Sequence, residues 1–547
     1  MNRNNFIQRA ANEEFDVCVI GGGASGAGCA LDAAARGLKV VLIEKSDFGS
    51  ATSSKSTKLV HGGVRYLEQA VKKLSLNQYK MVSKALKERT TILKIAPHLT
   101  RPLQLITPCR TWLESVYYFI GLKLYDWISG SANIGRSQLL NKKQALALLP
   151  ALKKKGLYNA VSYYDGQMDD QRLNMALVQT AVAKGAVCIN HCGATSFTTG
   201  PDGKINAVNV IDQFSAKAIT IRAKLCINAT GPFADAIRLM ANANLKARIR
   251  VSKGVHIMLP GAMMQTESAL LIPKTKDGRL VFAIPYQGRL QVGTTDEECP
   301  LTTREFGPTK DEINYLLEYA NDYLDIHAGP TDVMAGFGGL RPLISSEGST
   351  RDLVRDHEVE HDKVSNLVSI LGGKWTTYRL MARDTVDKAA QILSPRTNLI
   401  NPHTEDIILE GGENFNAIAL KEELKSLGWE EDIAEHLVNK YGSNALTKIS
   451  AYITRYGKIR LLEGLPFTQA ELQYVLENEM ACTVKDVLSG RWSIQLYNWQ
   501  QTLALIPIVG AMTSNHFSWN ERQQKEYIND YRNEILAMID EANKQEG

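Results

Sequence analysis

The sequence predicts an α/β (α+β) chain that opens on a nucleotide-binding unit, continues through β-rich segments and closes in a helical domain. Three observations carry this prediction: a strand–glycine turn–helix–strand block within residues 15–44, β patterning across 250–300, and amphipathic helical periods after about residue 404. At 547 residues the chain exceeds one simple core, and length alone implies about three or four domain-sized units. A hydrophobic fraction of 44% and a charged fraction of 22% are ordinary for a globular protein. No apolar run reaches the ~18 residues that a membrane-spanning helix needs. The opening "MNRNNFIQRAANEEFDV" lacks the hydrophobic core of a secretory signal, and is too short and too acidic for an organelle transit peptide.

The opening block is the clearest element. "FDVCVI" (15–20) reads as a buried strand, "GGGASGAGCALDAAARG" as a glycine turn entering an Ala-rich helix, and "KVVLIE" (39–44) as the second strand of a right-handed βαβ unit. Gly21, Gly23 and Gly26 form G-x-G-x-x-G at the strand–helix turn, which permits a tight bend and close approach of a pyrophosphate to backbone amides. Glu44 stands eighteen residues past Gly26 at the end of the second strand, where a carboxylate meets the ribose of an adenine dinucleotide. Dinucleotide binding follows from the whole arrangement, whereas the motif alone leaves FAD and NAD open.

Further along, "QRLNMALVQTAVAKG" (171–185) reads as a helix with "AVCIN" as the strand after it, and Asp169 and Asp170 before it read as caps. "VHIMLP", "LVFAIPY" and "RLQVGTTD" supply the β patterning of the middle. After "SPRTNLINPHTED" the periods become helical, as in "KEELKSLG" and "NERQQKEYINDYRNEILAMIDEANK", which places a domain boundary at 403/404. The eight cysteines show no framework of close spacings and read as free thiols of a reducing compartment. Cys188, His191 and Cys192 cluster in "CINHC", but their segment reads as a strand and lacks a second ligand pair, so no metal is expected. Residues 404–547 carry 13 Lys/Arg against 22 Asp/Glu, a net −9, which leaves +14 on residues 1–403. A basic body is suited to anionic partners. Nucleic-acid binding finds no supporting motif, neither zinc finger, RNP sequence nor basic helix.

The stretches "VIGGGASGAG", "ATSSKSTKLVHGGVRYLE", "YYDGQMDDQRL", "NATGPF", "SKGVHI", "VGTTD", "GGLRPL", "GGKWTTYR" and "ENEMACTVKDVLSGRW" together resemble the FAD-dependent glycerol-3-phosphate dehydrogenases across nearly the whole chain. The resemblance implies a Rossmann-like FAD-binding domain of the D-amino-acid oxidase type (segments about 15–110, 151–250 and 335–400). It also implies an interleaved β-rich substrate domain (about 111–150 and 251–334) and a C-terminal helical domain (404–547). The implied activity is oxidation of sn-glycerol 3-phosphate to dihydroxyacetone phosphate with non-covalent FAD, the electrons passing to a membrane quinone. Implied as well are a cytoplasmic protein attached peripherally to the inner face of the cell membrane and, as a candidate assembly, a homodimer.

Carried onto this sequence, the resemblance assigns cofactor contacts to Gly21, Gly23, Ala24, Ser25, Gly26, Glu44, Lys45, Thr52, Ser53, Ser54, Lys58, His61, Gly62 and Gly63. Later in the chain it adds Ala194, Ala229, Thr230, Gly231, Gly372, Gly373, Lys374 and Thr376. Arg65 and Tyr66 are expected to project into the substrate cavity. A phosphate dianion calls for a planar Arg fork and a Lys point charge, and Arg341 and Lys374 supply them with Arg65 as a third cation. His256 is the candidate general base for the substrate hydroxyl, with Arg65 as an alternative stabiliser of the alkoxide. Departures are Phe233 where the family often has Trp, and Gly490 where a basic residue commonly precedes Arg491; the second bears on reading that tail motif as a basic or quinone-side surface.

"RTWLESVYYFIGLKLYDWISGSANIGR" (110–136) mixes aromatics with cations, as suits a bilayer interface or, equally, a helix packed beneath the substrate domain. Competing activities are a glycerol-3-phosphate oxidase that returns electrons to oxygen, an amine or amino-acid oxidase, and a non-catalytic flavin-binding protein. The Arg/Lys cluster disfavours the last two, and the lack of a long polar insertion disfavours the first.

Overall fold

The computed structural model describes residues 1–63, 76–273, 275–276, 278–302, 306–345, 356–393 and 402–544. Two sheets organise it. In the first, the strands His357–Asp362, Leu367–Gly372, Ala218–Asn228, Glu14–Ile20, Val40–Ile43 and Val187–Ile189 lie side by side in that order. Its centre is parallel: Cys18 pairs with Cys226 on one side and Val41 on the other. The strands Glu14–Ile20, Val40–Ile43 and Val187–Ile189 are largely buried and apolar, as a parallel sheet covered on both faces requires. The helix Ala24–Ala35 covers one face, its small residues allowing close approach to the helices Asp170–Ala183 and Tyr378–Leu393.

Among the described residues the second sheet has ten strands, with Ile249–Pro260 flanked by Ala335–Ile344 and Arg289–Gly293. It also takes in Thr100–Cys109 and Asn159–Met168, which pair over ten residues. Those two strands and Ala335–Ile344, which the sequence places within its nucleotide-binding segments, lie in this second sheet. The first two are apolar enough to suit either sheet, so local pattern could not say which neighbour they would find.

From Ala417 onward the described chain is helical. Trp429, Leu437, Trp492 and Leu505 of this part share one continuous core with Ile257, Val281 and Phe337 of the second sheet. A smaller core lies between that sheet and the helix Trp112–Ser129, through Leu122, Tyr125, Ile128 and Tyr163.

Candidate active site

The glycine turn is sterically committed. Gly21 has φ +106°, and a Cβ there would stand 2.7 Å from the Ala229 carbonyl oxygen. One at Gly26 would stand 1.8 Å from the Gly21 oxygen. The helix begins at Ala24, Ser25 lies in its first turn, and Gly23 caps it without any side-chain bond. Ser53 Oγ accepts the Ala24 N–H at 3.0 Å, so the Thr52–Ser54 turn leans on the helix start. Glu44 accepts Gly22 N–H (2.6 Å) and Ser46 N–H (2.8 Å), which sets its carboxylate beside the glycine turn; burial raises its pKa. A side-chain-free turn, a helix N-terminus and a carboxylate at the strand end fit the pyrophosphate and ribose of a dinucleotide. Ala229–Gly231 follows the neighbouring strand Ala218–Asn228, Lys45 is exposed past the second strand, and Ala194 lies on the strand Cys192–Thr199, which pairs with Ile205–Asp212.

The loop 51–63 meets segments far away in sequence. Thr52 Oγ1 donates to Leu340 O (2.7 Å), Trp375 Nε1 donates to Ser53 O (2.8 Å), and Thr376 Oγ1 accepts His61 N–H (3.2 Å). Gly372 and Gly373, at φ +69° and +92°, make the turn that brings Lys374 to the head of that contact. Lys374 Nζ lies 3.8 Å from Met81 Sδ. Lys58 is 1% exposed, and its ammonium is held by Asp170 Oδ1 (2.5 Å) and Ser54 O (2.7 Å). Asp169 caps its helix, accepting Arg172 N–H at 3.1 Å. Asp170 does not: it is the first helical residue and accepts Ser56 and Lys58 instead, tying the loop down. Arg65 and Tyr66 lie outside the described residues.

His256 and Arg341 share one face of the second sheet. The register pairs His256 with Phe337, Gly254 with Gly339 and Ser252 with Arg341, so the imidazole and the guanidinium flank a floor of two glycines. The floor is needed. A Cβ at Gly254 would lie 2.1 Å from Arg341 Nη2, one at Gly293 2.2 Å from His256 Cδ2, and one at Gly339 2.8 Å from Lys55 O of the loop. Arg341 donates to Thr294 Oγ1 (2.9 Å), Thr295 O (3.1 Å), Lys253 O and Asp296 Oδ1 (both 3.3 Å). His256 stacks on Phe337 at 5.0 Å, and its Nε2 lies 3.0 Å from Thr57 Oγ1. Its Nδ1 is buried without a hydrogen-bond partner, as is Ser252 Oγ. Burial, then Arg341 and Lys58, hold the His256 pKa well below its ordinary value, so the ring is neutral.

Sequence reasoning missed Thr57, Thr294 and Asp296. "VGTTD" was singled out without a role, and the fold makes it the cradle of Arg341. The tail motif is corrected. Arg491 is fully buried and donates to Asp47 (2.5 Å) and Glu479 O (2.7 Å), so the segment is an interior seam and not a surface. Gly490 fits closely there, since a Cβ would stand 2.6 Å from Asp47 Oδ2.

Comparison with known proteins shows the family. Residues 16–387 match the FAD dependent oxidoreductase family, and 402–524 match the C-terminal domain of alpha-glycerophosphate oxidase. A probable mitochondrial glycerol-3-phosphate dehydrogenase of Caenorhabditis elegans is 39% identical over 546 residues, covering 97% of this chain and 75% of that protein. The mitochondrial glycerol-3-phosphate dehydrogenase of Homo sapiens is 38% identical over 530 residues, covering 94% and 72%. The structure of the glycerol-3-phosphate dehydrogenase from Bacillus halodurans, complexed with FAD, superposes with a TM-score of 0.80 at 30% identity, covering 100% of this chain and 99% of that one. The chain belongs to the FAD-dependent glycerol-3-phosphate dehydrogenase family.

Proposed function

We propose that this protein oxidises sn-glycerol 3-phosphate at C2 to dihydroxyacetone phosphate, with a membrane quinone as final oxidant. The observation that carries the reading is the pairing of Arg341 with a neutral His256 across a glycine floor, against the loop that also touches the glycine turn. When bound, FAD supplies the acceptor for the C2 hydride. The chain's residues do the rest. Arg341, pre-oriented by Thr294 and Asp296, offers a fork to the phosphate, and Lys374 and Arg65 add charge. Neutral His256 can take the hydroxyl proton, and a bound dianion beside it offsets the two cations that depress its pKa. The Gly62–Gly63 backbone would border the flavin when FAD is bound.

Peripheral membrane attachment is part of this reading. No helix among the described residues is long and apolar enough to cross a membrane. The helix Trp112–Ser129 exposes Trp112, Ile120 and Trp127 by 60–71%, and residues 110–158 carry eight Lys/Arg against two Asp/Glu. An apolar helix face within a cationic segment is complementary to an anionic lipid surface.

The test is anaerobic mixing with sn-glycerol 3-phosphate while flavin absorbance is followed, with glycerol and a D-amino acid as controls. Rapid bleaching by the phosphate ester alone is expected, and bleaching by none of the three, with FAD bound, would sink the substrate assignment. Peroxide formed in step with substrate, without quinone reduction, would move the acceptor to oxygen. Sedimentation with vesicles containing anionic lipid, weakened in I120S/W127S, checks the attachment.

A further inference from the structure

One side of the buried Gly62–Gly63 step is fixed by a chain of buried polar side chains. Gly62 N–H donates to Tyr125 Oη at 2.8 Å, and the Tyr125 hydroxyl donates in turn to Asp165 Oδ1 at 2.8 Å. Arg89 Nη1 donates to the same carboxylate oxygen at 2.9 Å, while its Nη2 is fixed on Ala132 O. Arg89, Tyr125 and Asp165 are each 2% exposed or less. The fit is close: a Cβ at Gly62 would stand 2.7 Å from Leu86 Cγ and 2.8 Å from Tyr125 Oη.

A Gly-Gly step has the widest backbone freedom of any dipeptide, so its path must be set from outside. On one side the constraint is Thr376 at the His61 amide. On the other it is the phenol of Tyr125, whose ring is packed edge-on against Tyr163 at 6.2 Å. The phenol cannot rotate away without leaving a buried carboxylate short of a donor. A buried Arg–Asp pair contributes little net stability compared with apolar packing, so its use here fits a role in orientation.

We propose that Tyr125, oriented by Asp165 and Arg89, is a positioning residue of the redox site, which fixes the Gly62 amide and with it the backbone path along the flavin. The inference rests on the reading that His61–Gly63 borders FAD. Tyr125 projects from the inner side of the helix whose outer side is proposed to meet lipid, so the loop is referenced to the membrane-facing element.

The experiment compares Y125F, D165N and G62A with the parent in the full FAD-loaded chain. Flavin visible spectrum, flavin midpoint potential, thermal midpoint, and kcat and KM for sn-glycerol 3-phosphate with a soluble quinone are measured on each. Y125F keeps the ring and removes one hydroxyl. A kcat about 10-fold lower with KM changed less than about 2-fold is expected, because small misplacements at a reacting centre act on the transition state. A displaced midpoint potential should accompany it, with D165N moving both in the same direction. If Y125F and D165N lower only the thermal midpoint while G62A alters the flavin signals, the loop borders the flavin and Tyr125 does not position it. If none of the three alters the flavin signals, the loop reading itself is overturned and the proposal with it. Should Y125F fail to retain FAD, D165N carries the same comparison with both rings in place.

Discussion

His191 and His256 are both buried, 8% and 2% exposed, and their surroundings drive them in opposite directions. His191 lies in the seam between the nucleotide-binding part and the C-terminal helices, its Nε2 2.8 Å from Asp486 Oδ2. Burial alone would lower its pKa, but Asp486 and Asp47 reverse this and raise it. The seam continues in kind, with Arg172 on Glu479 (2.6 Å), Lys440 on Asp169 (2.7 Å) and Arg491 on Asp47 (2.5 Å). Asp47, His191 and Asp486 converge closely enough to hold a cation, and the guanidinium of Arg491 already meets Asp47 there. His256 has the reverse setting: a hydroxyl on one nitrogen, no partner on the other, and two cations near. Charges that only hold the fold together are matched within the chain. At the site the two cations near His256 are matched as well, Arg341 by Asp296 (3.3 Å) and Lys58 by Asp170 (2.5 Å), so the contrast lies in the ring itself: among the described residues no carboxylate bonds His256, and burial holds it neutral.

The sharpest way to break this contrast is at Arg341. Arg341→Ala should lower kcat/KM for the phosphate ester by roughly 10³-fold, about 4 kcal/mol of transition-state binding. FAD content should be retained, and Arg341→Lys should recover only part of the loss, because a point charge replaces a fork. Steady-state kinetics check both variants; a wild-type KM and kcat in Arg341→Ala would remove the guanidinium from phosphate binding.

The seam predicts a complementary outcome. Arg491→Ala leaves Asp47 buried without its cation, and breaking such a pair costs about 3–5 kcal/mol. Denaturant unfolding should show that loss, while KM of the remaining folded enzyme stays near the parent value. Burial raises the Asp47 pKa and Arg491 opposes it, so the variant should be least disfavoured at acid pH.

What could be read from sequence divides along the same line. Gly21, Gly23 and Gly26 were legible because a steric requirement shows up directly as residue identity. The helical tail was legible because its periodicity is local. The pairing of His256 with Arg341, 85 residues apart, follows from strand register, which the whole sheet decides. Asp47 and Arg491 are separated by 444 positions, and neither carries any local mark of the other. Segment 110–136 suited both a membrane surface and a packed helix because the helix is two-sided: Leu122, Tyr125 and Ile128 face the core while Trp112, Ile120 and Trp127 face out. Asp169 and Asp170 looked like equivalent caps, but only one position on a helix can be the N-cap, and the spare carboxylate was free to meet Lys58.

The smallest effect expected, and the one that separates the two histidines most cleanly, is in the pH dependence of stability. His191 has a folded pKa above its unfolded value of about 6.5. Its contribution is therefore fully present below that pH and is lost as pH rises through the folded pKa. His256 has a folded pKa below 6.5, so the unfolded chain takes up a proton that the folded chain refuses, and stability is lost as pH falls below about 6.5. Replacing His191 by Gln should flatten the alkaline side of the stability profile, whereas His256→Asn should flatten the acid side. Thermal midpoints from pH 5 to 9 in low-phosphate buffer measure both. Phosphate is the control that ties stability back to function: bound at Arg341, it should narrow the acid-side loss in the parent, whereas in His256→Asn, which keeps Arg341, its stabilisation should lack that dependence on acid pH. An equal response in both proteins would place the anion away from His256.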